Sequence, residues 1–408
     1  MVIKICKYSI LQSKSNLYRL SNFIENYFKV YKFIENTFIL NRDMVPNKRS
    51  DKILNMEKTL IGTQSDIKIF NYREVDRADE FEDIPILDLE PYLSQEPGAA
   101  KELAENIRFI QETIGFYVVV NHGIPRTVIS DAYTALQKFF ALPTDAKMEL
   151  KFDNTSVGYI APKSTVYITS KINQNTKQDL NETLVLALER LDDHPYIKQG
   201  VRFTGPNKWP TQVPNFREPL VKYQYACANL GRKIVPLYAL ALGKPMDYFD
   251  AYFKEPIMWT RNAHYPPAEP EENQFGISPH SDHSFITILP FSEVPGLQVL
   301  TPQGNWLPAT PVTDGVIINT GEFLNLWSNG RFIASPHRVV PPEHDRISMA
   351  TFFDAAPETI ADPAHFAAPG EELRYEPISM IDYVSWYIDR NYSTKAGGKQ
   401  EGIEPEST

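Results

Sequence analysis

The chain has 408 residues, 42% apolar and 23% charged, values of a soluble globular protein that exclude collagen-like, mucin-like and wholly disordered chains. Its 41 basic and 51 acidic residues leave a net charge of −10, so a nucleic-acid partner would need a basic patch hidden inside that balance and is not expected. No run of about 18 apolar residues occurs, so no membrane span is expected. Two cysteines, Cys6 and Cys227, cannot build a disulfide framework, which fits a reducing, cytoplasmic compartment.

Residues 1–55 carry ten Lys/Arg against four Asp/Glu, and contain no Gly or Ala but seven Asn and eight Phe/Tyr. That break in composition marks a boundary. Three readings stand: a basic targeting peptide, an amphipathic surface arm bearing Ile3, Tyr8, Phe23 and Phe28, or a non-native, poorly ordered extension with Met56 as an alternative start. From Phe81 the chain becomes orderly, with a short strand within Phe81–Leu89. Leu103, Ile107, Ile110 and Ile114 recur at helical steps, predicting a helix over 100–114. Gly115–Val120 predicts a buried strand, Asn121–Pro125 a turn, and 126–140 another helix. Residues 150–215 are polar and predicted irregular, with 150–185 forming a substrate entrance; Tyr159 and Glu182 are candidates there. Leu220, Tyr223, Cys227, Leu230, Ile234, Leu237 and Ala241 form the seam of a helix over 216–242, bent near Pro236. Cys227 lies on that seam and reads as a small buried hydrophobe.

After residue 255 short strands follow one another: 285–291, 296–301, 305–309, 315–320, 337–340 and 346–353, with a hairpin turn at Pro302–Asn305. Closely spaced strands without intervening helices predict an antiparallel sandwich or barrel. A helix over 377–390 closes the chain. The expected division is an extension over 1–80, a helix-rich region over 81–250, a β core over 251–360, and a C-terminal helix and tail over 361–408.

Within the β core stands Ser278-Pro-His-Ser-Asp-His283. On an extended strand His280 and Asp282 point to one side and could share an ion. His337, in Ser335-Pro-His-Arg-Val339, could supply a third ligand. Two imidazoles and one carboxylate on one face of an ion, with the other face open, is the arrangement of oxygen-activating non-haem iron(II) sites. Beyond His337, Arg346 and Ser348 share a strand face and could hold a carboxylate, with Tyr265 as a third contact.

At these residues the chain resembles the isopenicillin N synthase-like group of 2-oxoglutarate- and iron(II)-dependent dioxygenases. The resemblance spans roughly 81–390 and includes Gly115–Ile124, the His280-Ser-Asp282 pair, Asn319–Gly330, Ser335–Val339 and Arg346-Ile-Ser348. It implies a mainly β double-stranded β-helix (jelly roll) with helical additions. It also implies Fe(II) held by His280, Asp282 and His337, with 2-oxoglutarate on Arg346, Ser348 and Tyr265. O2 is the oxidant, with ascorbate as a candidate reductant. A small-molecule C–H bond would be hydroxylated, desaturated or closed into a ring, with release of succinate and CO2. Many relatives carry Asn two residues before the Tyr; here Ala263 stands there. Alternatives are an oxidase of the same fold that does not consume 2-oxoglutarate, a non-catalytic ligand sensor, and a zinc hydrolase, whose metal takes similar ligands. The sequence leaves substrate and oligomeric state open.

The other candidates are expected to be structural. His283 points away from Asp282, toward the support of the site or solvent. His122 makes a structural hydrogen bond, and Arg338 an ion pair. Trp306 and Trp327 are packing residues. His194, His264, His344 and His365 show no partner spacing; Phe323 and Leu324 could approach a pocket but are assigned no role in it.

Overall fold

Phe116-Tyr-Val-Val-Val120 contains little that seeks water, and in the computed structural model all five residues are buried in one strand, as expected of a strand covered on both faces. The structure describes residues 69–74 and 81–392, within a unit spanning Asp66–Thr408. The expectations for 1–55 concern residues outside those described.

In chain order the front half contains β1 (Ile86–Asp88), α1 (Glu90–Leu93), α2 (Ala99–Gln111), β2 (Phe116–Val120), α3 (Arg126–Phe140), α4 (Thr144–Met148), β3 (Gly158–Ile160), β4 (Glu182–Ala187), α5 (Pro195–Lys198) and α6 (Arg217–Ala241). The back half contains β5 (Met258–Tyr265), β6 (Ile277–His280), β7 (Ile286–Pro290), β8 (Leu297–Leu300), β9 (Trp306–Pro308), β10 (Val316–Thr320), α7 (Glu322–Trp327), β11 (His337–Val339) and β12 (Arg346–Phe353). A two-stranded ribbon of β13 (Ile360–Ala361) and β14 (Ile378–Ser379) and the helix α8 (Met380–Asn391) complete the described chain.

An eight-stranded sheet runs β1-β2-β10-β7-β12-β5-β4-β3, and a four-stranded sheet runs β6-β11-β8-β9. They are the two sheets of a jelly roll, with helices added from the front half. The larger sheet takes strands from both halves of the chain. All seven seam residues of α6 are buried, and the helix packs on α2 and α3. Each large apolar side chain so buried stabilises the fold by about 1.5–3 kcal/mol. Cys227, a small residue of the seam, is buried with them; burial pushes its thiol up to about 12, which keeps it protonated and unreactive. Among the described residues no helix is long and apolar enough to cross a membrane.

The segment 150–215 is less irregular than expected. Its β4 has six buried residues and pairs with β5 from Glu182↔His264 to Ala187↔Trp259. The run Thr183–Ala187 carries the strand signal, but the polar sequence around it dilutes that signal. The strand β5 itself was not anticipated. Its alternation of Trp259, Arg261, Ala263 and Tyr265 with Thr260, Asn262 and His264 puts polar groups on both faces, so no apolar period marks it.

Candidate functional site

His280 ends β6, and His337 begins β11. The two are direct partners across the antiparallel pair, with ring centroids 4.4 Å apart. Cross-strand partners are the closest side chains in a sheet, so the strand pairing itself brings the two imidazoles together. Asp282 lies two residues beyond the end of β6, in the loop before β7. The expected i, i+2 relation on one strand is therefore replaced by a loop that folds back. Thr287 Oγ1 donates to Asp282 Oδ2 at 2.6 Å and Asn319 Nδ2 donates at 2.7 Å. These bonds leave Oδ1 facing the histidines, 3.8 Å from His280 Nε2 and 3.6 Å from His337 Nε2. Gly321 lets the turn into α7 approach this loop: a Cβ there would collide with the Ser284 carbonyl oxygen. The Glu322 amide then donates to the Asp282 carbonyl at 2.7 Å.

Both histidines sit in the tripeptide Ser-Pro-His. In each, Nδ1 bonds the serine carbonyl two residues back: His280 to Ser278 O at 2.8 Å and His337 to Ser335 O at 3.2 Å. Donation from Nδ1 turns the Nε2 lone pairs toward Asp282, the tautomer a metal ligand needs. One ligand atom from each of the three residues lies within 4.8 Å of the others, and all three residues are buried. Burial, reinforced by His337, pushes His280 down to about 3. Burial opposes a charge on Asp282, but His337, His280 and Asn319 outweigh it and hold the carboxyl well below the usual carboxylate range. Two imidazoles and an anionic oxygen fit a divalent first-row ion.

Arg346 and Ser348 lie on β12 opposite Tyr265 and Ala263 of β5. The Arg346 guanidinium sits 4.8 Å over the Tyr265 ring, and the Tyr265 and Ser348 hydroxyls are 3.4 Å apart. Arg346 Nε donates to Val294 O at 3.0 Å, whereas Nη1 is buried with no hydrogen-bond partner. An orphaned buried guanidinium nitrogen beside two hydroxyls fits a carboxylate. In the β12–β7 register Phe352, on the face of Arg346 and Ser348, pairs with Thr287. By the pleat, the residues that orient Asp282 and those that could hold the carboxylate share one face of the larger sheet.

Several side chains stand elsewhere than expected. Tyr159 and Glu182 are buried and bonded to each other: the Tyr159 hydroxyl donates to Glu182 Oε2, and Lys147 Nζ donates to the same oxygen at 2.6 Å. His264, which showed no partner spacing, joins this cluster through Glu182 Oε1 at 2.8 Å and Asp345 Oδ1 at 2.9 Å. The segment 150–185 reaches the site through Tyr167 instead, stacked on His280 at 4.2 Å. Arg338 makes no ion pair among the described residues; it lies 4.0 Å over Trp306 and donates to Gln298 Oε1 at 2.8 Å. Trp306 is thus a cation partner as well as a packing residue. His283 is buried and does not face solvent. It stacks on Trp259 at 5.1 Å, and burial pushes it down to about 4. His122 bonds the Asp314 carbonyl at 3.0 Å as a structural histidine, and Trp327 is buried with Nε1 donating to His365 at 3.0 Å. Thr287, Asn319 and Tyr167 were missed. The repeated Ser-Pro-His was the one available signal for matched imidazole orientation.

A family model described as the 2OG-Fe(II) oxygenase superfamily matches residues 256–355. A second, described as the non-haem dioxygenase in morphine synthesis N-terminal, matches residues 84–212. The 2-oxoglutarate-Fe(II) type oxidoreductase hxnY of Emericella nidulans is 31% identical over 331 residues, 78% of this chain and 93% of that protein. The 2-oxoglutarate-dependent dioxygenase 11 of Oryza sativa is 30% identical over 305 residues, 74% and 80% of the respective chains. Among solved structures, a full-length Neurospora crassa protein in complex with alpha-KG superposes with a TM-score of 0.65 at 26% identity, covering 77% of this chain and 98% of that one. These relatives support 2-oxoglutarate consumption over an oxidase that does without it. The chain belongs to the 2-oxoglutarate–Fe(II) oxygenase superfamily: it is an enzyme, a dioxygenase that uses ferrous iron and 2-oxoglutarate.

Proposed function

We propose that this enzyme oxidises a C–H bond of a small-molecule metabolite, by hydroxylation, desaturation or ring closure. His280, Asp282 and His337 hold the iron, and Arg346, Ser348 and Tyr265 hold the far carboxylate of 2-oxoglutarate. The observation that carries this reading is the unpartnered, buried Nη1 of Arg346, on the sheet face that also orients Asp282. Bound iron and 2-oxoglutarate supply the oxidising power from O2 and release succinate and CO2. The protein's own part is placement. Ser278 and Ser335 fix the histidine tautomers, and Thr287 and Asn319 fix the carboxylate. Tyr167 and Phe116, packed on His280 and His337, keep water from the reacting side.

In this reading residues 251–360 carry the iron and cosubstrate, and 81–250 wall the substrate. The net charge of −10 favours a metabolite over a nucleic acid. The Neurospora crassa relative, 26% identical, has also been solved in complex with alpha-KG and thymine, a small molecule. The free, buried Cys227 supports a reducing compartment, the cytoplasm.

The test is succinate release from 2-oxoglutarate, stimulated by fractions of a metabolite extract, alongside metal binding measured without O2. Wild type is expected to respond to at least one fraction. Asp282→Ala is expected to bind iron far more weakly and to give no stimulated succinate. Full turnover by Asp282→Ala would refute the assignment.

A further inference from the structure

Arg261 has no role in the chemistry above, yet its placement needs an explanation. It lies on the inward face of β5, in line with Ala263 and Tyr265, and is only 3% exposed. Its Nη2 donates to Asn181 Oδ1 at 2.8 Å, but its Nε is buried without a partner. No carboxylate among the described residues makes an ion pair with it. The carboxylate that influences it, Asp179, accepts hydrogen bonds from Ser278 N at 2.9 Å, Ser278 Oγ at 2.5 Å and Thr165 Oγ1 at 3.3 Å. Burial pushes Asp179 up to about 7, so it is an incomplete counter-charge.

Arg261's other neighbours are aromatic. Its guanidinium lies 6.0 Å from the Tyr392 ring, the Tyr392 and Tyr167 hydroxyls are 3.1 Å apart, and Tyr167 stacks on His280 at 4.2 Å. A buried guanidinium is thus two rings away from a candidate iron ligand. The next inward residue, Ala263, fills only a methyl group's volume, opposite Ser348. Leaving a guanidinium buried without a counter-charge is unfavourable, and an arriving anion removes that cost. Formal charge points the same way. The ferrous ion and the two guanidiniums of Arg261 and Arg346 meet Asp282 and the two carboxylates of 2-oxoglutarate. One positive charge is left over, and Asp179, pushed up to about 7 by burial, offsets it only in part.

Resting on the dioxygenase reading, we propose that Arg261 binds a carboxylate of the substrate, and that the substrate is a small monocarboxylic acid held with its reactive C–H beside the iron. The Tyr167 and Tyr392 hydroxyls complete the cradle. The aromatic walls select the acid's apolar body, and the guanidinium sets which end faces the metal.

The test is equilibrium binding to the full chain loaded with Mn(II) and 2-oxoglutarate in the absence of turnover. The probes are benzoate, phenylacetate and octanoate, each paired with its methyl ester. At least one acid is expected to bind tenfold or more tightly than its ester. Arg261→Gln is expected to erase that preference while keeping wild-type 2-oxoglutarate affinity, which also reports that it folds; Arg261→Lys should restore part of it. Equal binding of acids and esters across the panel overturns the proposal. So does an acid preference that survives in Arg261→Gln, or a tenfold loss of 2-oxoglutarate affinity there, which would assign Arg261 to the cosubstrate. A wild-type protein that binds acids but neither Mn(II) nor 2-oxoglutarate would overturn the dioxygenase reading and leave the acid site standing.

Discussion

On the outer face of β4 and β5, Lys147, Tyr159, Glu182 and His264 close on one another. On the inner face of β5 and β12, Arg261 and Arg346 do not. In the outer cluster Glu182 receives Lys147, Tyr159 and His264, and His264 reaches on to Asp345. Lys147 also donates to Phe140 O at 3.1 Å. The inner arginines each keep one buried nitrogen without a partner. Both clusters are buried and charged, so burial and charge do not distinguish structure from function. What sets the two arginines apart from the outer cluster is that their pairing is incomplete, and an unpaired buried donor has a cost that a ligand can remove.

Removing one member from each cluster should break that symmetry. Lys147→Met leaves the buried Glu182 carboxylate short of its cation. It is expected to cost about 3–5 kcal/mol of stability, read as a lowered Tm or denaturant midpoint. The KM for 2-oxoglutarate should hold within roughly twofold, since the cluster faces away from the site. Arg346→Ala is expected to do the reverse. It should raise the 2-oxoglutarate KM roughly 10- to 150-fold, the equivalent of losing a charge-assisted contact of about 1.5–3 kcal/mol, with little change in Tm. An Arg346→Ala protein that loses stability but keeps its KM would move Arg346 into the structural class. Asn319→Ala tests the support beneath the metal ligands. Losing its bond to Asp282 should weaken iron affinity about 10- to 100-fold, measured by competition with a chelator.

The sequence made much of the inner cluster visible, and little of the outer one. Metal ligands and carboxylate binders come as short local signatures: His280-Ser-Asp282, Ser335-Pro-His337 and Arg346-Ile-Ser348 each lie within a few residues. Their convergence was legible, but its cause was not. That cause is the His280↔His337 pairing and the Thr287 and Asn319 hydrogen bonds to Asp282, contacts between distant parts of the chain. The outer cluster draws Lys147, Glu182 and His264 from three elements with no shared spacing, so Glu182 reads as an entrance residue and His264 as ordinary. Strand β5, polar on both faces, gave no period. Arg261 escaped notice for the same reason: a single arginine in a strand reads as surface until the structure covers it.

The outer cluster also makes a pH-dependent prediction, the smallest of the set. Burial disfavours charge on His264, but its hydrogen bonds to Glu182 and Asp345 outweigh burial and raise it above its ordinary 6.5. A histidine raised in the folded state binds its proton more tightly there than in the unfolded chain. Its stabilisation is complete below the unfolded value and fades as pH rises through the folded one. Glu182 behaves oppositely. Burial opposes its charge, yet its bonds to His264, Lys147 and Tyr159 hold it below 4.5, so its contribution is present above that value and fades in acid. Replacing His264 with Gln keeps hydrogen-bonding capacity but removes the titrating charge. The Tm gap between wild type and His264→Gln should therefore be widest at about pH 6 and narrowest at about pH 9. A gap that widens toward pH 9 would mean that His264 is neutral in the folded protein, and that the outer cluster closes through Lys147 alone.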